Sequence, residues 1–283
     1  WTTNGPESNI FGLEPNYGCC TANLSQGWPK FASHLWMRTQ DEGLAAAAYA
    51  PCEVTAQMKG TNVKISVETD YPFREKIKLT ISAGSPVSFP LYLRIPEWAD
   101  KAVVKFSGNE KINPPHGEYF KIQAEIEGDA EIELEFPMEP RSSRRYHNAL
   151  AIERGPLVYS LKIGERWERV NEDKPLRELP HGDWEVYPTT SWNYALDVNE
   201  DTLNKDLKFG EHSIGDLPFS PEGAPVTATV KGMILDEWMM ENGSAGEIPI
   251  SPVAPKEGKL QTLTLIPYGC TNLRVTEFPT LKK

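Results

Sequence analysis

The chain has 283 residues, of which 39% are hydrophobic, 24% charged and 10% aromatic; this excludes a disordered polymer and predicts two substantial domains. A net charge of −11 argues against nucleic acid as a partner, because its binders carry basic patches, whereas a neutral partner such as a sugar fits without strain. No apolar run approaches the roughly 20 residues of a membrane span, and four cysteines are too few for a disulfide scaffold. The sequence opens on Trp1 with no charged-then-apolar leader, as a processed or truncated product would, and this leaves export open.

Residues 1–20 are rich in Gly, Pro and Asn and read as an ordered loop leading to two adjacent cysteines, Cys19 and Cys20. Thr21 caps an expected helix running to about Met37. Its apolar stripe is Leu24, Trp28, Phe31 and Leu35, and Pro29 imposes a kink or a late start near Gly27. This is the one helix the pattern supports. It either packs on a β-sandwich or is the end of a helical domain.

After Gly43 the texture becomes alternating. Asn62–Glu68, Lys76–Ser82, Val87–Ile95, Val103–Phe106, Tyr119–Ile122 and Glu131–Phe136 read as short antiparallel strands, with a turn at Glu127-Gly128-Asp129. A second block has Leu157–Ile163, Trp184–Tyr187, Val226–Val230, Gln261–Ile266 and Leu273–Phe278 as its clearest strands, with long loops expected over 164–182 and 197–225. Pro140–Ser143 is the expected hinge. The fold class is therefore mainly β: a helical segment over 1–42, a first β-sandwich over 43–140 and a second over 141–283.

The cysteine pair carries the chemistry. Adjacent Cα atoms lie about 3.8 Å apart, too close for an ordinary disulfide, which needs roughly 4.4–6.8 Å. Sulfurs at a helix N-terminus ionise readily, so the pair suggests a soft metal, a sulfur nucleophile or both; a structural buried pair is the alternative. Two thiolates do not fill a four-ligand zinc site, and Glu14, His34, Cys52 and Cys270 stand at no ligand-like spacing. Trp98, Trp184, Trp192 and Trp238 could stack on sugar rings, or pack a core. Asp236, Glu237 and Glu241 around Trp238 form either a sugar groove or, as acidic residues usually do, a solvated loop. His116, His147, His181 and His212 read as surface histidines.

The run Phe11-Gly-Leu-Glu-Pro-Asn-Tyr-Gly-Cys-Cys-Thr-Ala-Asn-Leu-Ser-Gln-Gly-Trp-Pro-Lys-Phe31 resembles glycoside hydrolase family 127, the β-L-arabinofuranosidase family. Tyr49-Ala-Pro-Cys-Glu-Val-Thr55, Leu93-Arg-Ile-Pro-Glu-Trp98, Glu153-Arg-Gly-Pro-Leu-Val-Tyr159 and Leu265-Ile-Pro-Tyr-Gly-Cys270 look like the same group, in the same order. The resemblance implies an (α/α)6 catalytic barrel followed by β-sandwiches, with residues 1–42 as the end of that barrel. It implies a retaining hydrolase of β-L-arabinofuranosides or related plant-cell-wall sugars. Cys19 would be nucleophile and zinc ligand, and Cys20 a zinc ligand. The family's Glu-x-Cys zinc motif and acid/base glutamate lie upstream and neither is found here, Glu14 being too close to the pair. The chain alone is therefore expected neither to hold zinc tightly nor to hydrolyse arabinofuranosides. A non-catalytic carbohydrate-binding module is a rival reading, and a third has the sandwiches brace the barrel or mediate a homodimer.

Overall fold

The computed structural model describes residues 10–12, 23–106, 111–254 and 258–282. Strands dominate it, as the alternating patterns require, and the chain divides into two compact units. One is Gln26–Met138; the other is Glu139–Lys283 together with the short strand Ile10–Phe11.

The first unit has two sheets. Five strands follow the order Cys52–Met58, Thr61–Thr69, Lys76–Ala83, Asp129–Glu135, Val103–Phe106, all antiparallel. Four more follow the order Trp36–Arg38, Leu44–Ala46, Val87–Arg94, Tyr119–Ile126. The pairing of Leu44–Ala46 with Val87–Arg94 is parallel, an exception to the expected antiparallel pattern. Period-two alternation sends Val87, Phe89, Leu91 and Leu93 inward from one sheet and Ile77, Leu79 and Ile81 inward from the other, into one shared core. Phe136 is fully buried, with the rings of Tyr49, Tyr71 and Trp98 at 5.8, 6.5 and 6.0 Å.

The expected helix to Met37 is corrected at its end. Asn23 and Leu24 are helical, Ser25 and Gln26 form a turn, the helix Gly27–Ser33 follows with Pro29 in its first turn, and Trp36–Arg38 is a strand. Turn chemistry decides this. The Gly43 N–H donates to Thr39 Oγ1 at 2.9 Å and the Thr39 N–H to Gly43 O at 3.1 Å, closing a hairpin from Trp36 to Ala46. A Cβ on Gly43 would stand 2.4 Å from Pro90 O, so only glycine fits there. Residues 26–42, expected with 1–25 as the end of a helical domain, thus belong to the first β unit. The helix buries none of its residues, and Trp28 is 73% exposed.

The second unit is built on a sheet in the order Pro140–Arg144, Leu150–Arg154, Leu157–Leu161, Gln261–Pro267, Val226–Ile234, Tyr194–Leu196. Lys208–Glu211 and Glu277–Phe278 are added beside it. The expected hinge at Pro140–Ser143 is a strand, paired from Pro140 to Arg144 with Leu150–Arg154. A three-stranded sheet joins Ile10–Phe11, Asp183–Pro188 and Glu165–Val170, and a small hairpin joins Met240–Glu241 to Ser244–Ala245. Glu165–Val170 and Lys208–Glu211 both lie in stretches expected to be loops. Among the described residues no helix is long and apolar enough to cross a membrane.

Candidate functional site

Cys19 and Cys20, the expected nucleophile and zinc ligands, lie outside the described residues, as does Glu14. The start of their motif is anchored. Ile10 pairs with Glu185 and Phe11 with Trp184. Gly12 follows against Asp183, whose Oδ1 would lie 2.3 Å from a Cβ at that position. Asp183 is 5% exposed; its Oδ2 accepts from Asn171 Nδ2 and Arg177 Nε, each at 2.9 Å. A buried carboxylate so bonded stays put, and glycine is the residue that lets the chain pass over it.

The other residues singled out by sequence disperse. Burial raises the Cys52 thiol pKa, and that of Cys270 is pushed up to about 11 by burial, with the Cys270 Sγ–H donating to Pro218 O at 3.2 Å. They belong to different units. His34 donates from Nδ1 to Lys30 O, His116 to Glu97 O and His147 to Ile248 O, while His212 pairs with Thr227 Oγ1. His181 is exposed. Among the described residues no three His, Cys, Asp or Glu side chains stand close enough to hold a metal ion.

The tryptophans separate sharply. Trp98 packs against the first core, and Trp238 is 4% exposed with its Nε1–H donating to Gly246 O at 2.9 Å. Asp236, Glu237 and Glu241 are exposed, so the acids around Trp238 form a solvated loop. Trp192 lines a cavity.

That cavity, of about 290 Å³, lies within the second unit. Its aromatic walls are Phe11, Tyr187 and Trp192, its floor includes buried Ile163, Val186 and Val275, and Asn272, Arg274 and Ser244 supply polarity. Trp192 stands edge-on to Trp238 with ring centroids 5.1 Å apart, and Phe11 packs on Trp167 at 5.4 Å. Tyr187 donates its hydroxyl to Glu185 Oε2. Glu165 Oε2 accepts from Asn272 Nδ2 and from Trp167 Nε1, both at 3.0 Å. Sequence reasoning found Trp192 and missed Arg274, Asn272 and Tyr187, because nothing in their spacing shows that residues from 11 to 275 converge.

The comparisons with known proteins agree with this architecture. Residues 43–138 match the model of the "Beta-L-arabinofuranosidase, GH127 middle domain" family. No curated protein matches. Among solved structures the chain is similar to a GH127 beta-L-arabinofuranosidase from Geobacillus stearothermophilus T6, with a TM-score of 0.59 and 23% identity over 92% of this chain and 36% of that one. A GH127 beta-arabinofuranosidase gives 0.61 and 19%, covering 93% and 38%, and a protein described as a glycoside hydrolase gives 0.62 and 19%, covering 95% and 41%. The chain thus spans less than half the length of these structures. Residues 43–138 thus match the GH127 middle-domain model, within a chain that shares the fold of GH127 proteins over nearly all its length.

Proposed function

We propose that the chain is the C-terminal part of a retaining glycoside hydrolase acting on β-L-arabinofuranosides or related plant-cell-wall sugars through a cysteine nucleophile. The observation that carries this reading is the middle domain at residues 43–138, with the Cys19-Cys20 motif directly ahead of it. In this proposal Cys19 Sγ attacks the anomeric carbon as the bond to the leaving oxygen breaks. That oxygen takes a proton from a general acid outside the described residues. Water then displaces the sulfur, and two inversions give net retention.

Cys19 and Cys20 would be two thiolate ligands of a zinc ion. Among the described residues no three candidate ligands cluster, and in this proposal the remaining ligands and the acid/base group come from outside the described residues. The 283-residue chain by itself then neither hydrolyses the sugar nor keeps zinc. The test incubates it with p-nitrophenyl β-L-arabinofuranoside and measures zinc after dialysis. Nitrophenol release, or stoichiometric zinc, contradicts the proposal.

A second reading, a non-catalytic saccharide-binding module, is favoured by the aromatic cavity. It predicts saccharide binding that survives Cys19→Ala.

A further inference from the structure

We propose that the cavity of the second unit is a binding site for a single uronic acid residue, its ring against Trp192 and its carboxylate on Arg274. The inference rests on the saccharide class of the proposed function and not on Cys19.

Size limits the ligand first. At about 290 Å³ the cavity sits at the lower edge of small-molecule sites; it holds one sugar ring, not a chain segment. The lining sets the chemistry. Aromatic faces bind the C–H faces of sugar rings, and Phe11, Tyr187 and Trp192 provide three aromatic groups over an apolar floor. The Tyr187 ring already carries the Arg166 guanidinium at 4.9 Å, which leaves Trp192 as the stacking platform.

Charge narrows the class further. Among the described residues Arg274 is the one charged side chain in the lining, and none of the described lining residues is a carboxylate. Its guanidinium lies 4.7 Å from the Tyr268 ring centroid and forms no ion pair among the described residues. In a chain of net charge −11, an arginine paired with no described carboxylate, at a cavity whose described lining holds none, selects an anion. A guanidinium pairs with a carboxylate in a two-pronged geometry that neutral hydroxyls cannot match. A neutral sugar would leave Arg274 unused, and a simple anion would leave the aromatic walls unused; a carboxylated sugar uses both.

The site is also held in shape before any ligand arrives. Trp192 is braced by Trp238, which is fixed by its bond to Gly246 O. Asn272 is held through Nδ2 by Glu165, and the Leu273 N–H reaches Glu165 Oε1 at 3.5 Å. Such bracing lowers the ordering cost of binding.

The test titrates the 283-residue chain with D-galacturonate and D-glucuronate at low salt, followed by tryptophan fluorescence and calorimetry, beside D-galactose, D-glucose and acetate. The expected result is saturable millimolar binding of at least one uronate, at least tenfold weaker binding of the matching neutral sugar, and none of acetate. Arg274→Gln, a surface change, is expected to weaken uronate binding at least tenfold with an unchanged melting temperature, and Trp192→Phe to weaken it severalfold. No saturable response to either uronate overturns the proposal. So does equal binding of acid and neutral sugar, acetate binding as tight as uronate, or an Arg274→Gln chain that binds as before. Repeating the titration with Cys19→Ala separates the two readings, because binding is expected to be unchanged whatever the outcome of the hydrolysis assay.

Discussion

Asn272 donates from Nδ2 to Glu165 Oε2 at 3.0 Å, across 107 residues of sequence. Through this bond the first residue of the strand Glu165–Val170 fixes the chain segment that carries Arg274. Glu165 also receives the Trp167 Nε1–H and the Leu273 N–H. Replacing the carboxylate with alanine frees three donors at once. Hydrogen bonds to charged groups contribute about 1.5–3 kcal/mol each when buried, and Glu165 is partly exposed, so Glu165→Ala is expected to cost about 1–2 kcal/mol in urea unfolding. A loss below a few tenths would mean that these bonds do not hold the segment.

Phe136 is the centre of the first unit's aromatic cluster, with Tyr49, Tyr71 and Trp98 around it. Phe136→Ala is expected to destabilise by about 3–5 kcal/mol, and Phe136→Leu by far less. Chemical denaturation of both variants checks this. Equal losses would show that the ring contacts carry none of the effect.

Much of the first unit could be read from the sequence, and parts of the second could not, for identifiable reasons. Val87–Arg94 and Lys76–Ala83 sit close to where alternation put them, because each has one buried face. Glu165–Val170 is a strand whose alternate residues are charged on both faces, so no hydrophobic period marks it. Leu273–Phe278 has the pattern of a strand, but only Glu277–Phe278 pairs; Leu273 instead gives its N–H to Glu165. Asn242-Gly243, with φ of 49° and 73°, is the tight turn of the hairpin that lines the cavity. That dipeptide is a strong hairpin signal, and it is absent from the elements expected from alternation because the strands it joins are only two residues long. Of the cavity only one tryptophan among four was legible, since the rest of it is assembled by long-range pairing, and the cysteine pair lies outside the described residues.

Asp41 gives a pH prediction. A hydrogen bond from Lys121, then bonds from Thr39 and Tyr92, hold its carboxyl well below the usual carboxylate range. Because the folded value lies below the unfolded one of about 3.9, the group stabilises the fold fully above that pH. The contribution is lost as pH falls through the folded value. Asp41→Asn is therefore expected to lower the melting temperature at pH 7, with the gap from the parent chain narrowing below about pH 4. A gap that is constant from pH 7 to pH 2.5 would contradict the assignment.

Cys270 is buried, and its thiol is pushed up to about 11. At pH 8 the thiolate fraction is then about one in a thousand, and the thiolate is the reactive form. Native labelling with iodoacetamide at pH 8, read by peptide mass spectrometry, is expected to leave Cys270 unmodified until the chain is denatured. Labelling at the rate of a free thiol would contradict this environment.

The central claim, that Cys19 is the nucleophile of a GH127-type hydrolase, is tested most directly by one kinetic comparison. The protein is expressed from its complete reading frame and assayed on p-nitrophenyl β-L-arabinofuranoside against its Cys19→Ala variant and against the 283-residue chain. Turnover by the parent is expected, with a loss of at least a thousandfold in kcat for Cys19→Ala at unchanged melting temperature and no turnover by the 283-residue chain. Retention of activity in Cys19→Ala, or hydrolysis by the 283-residue chain alone, would contradict it.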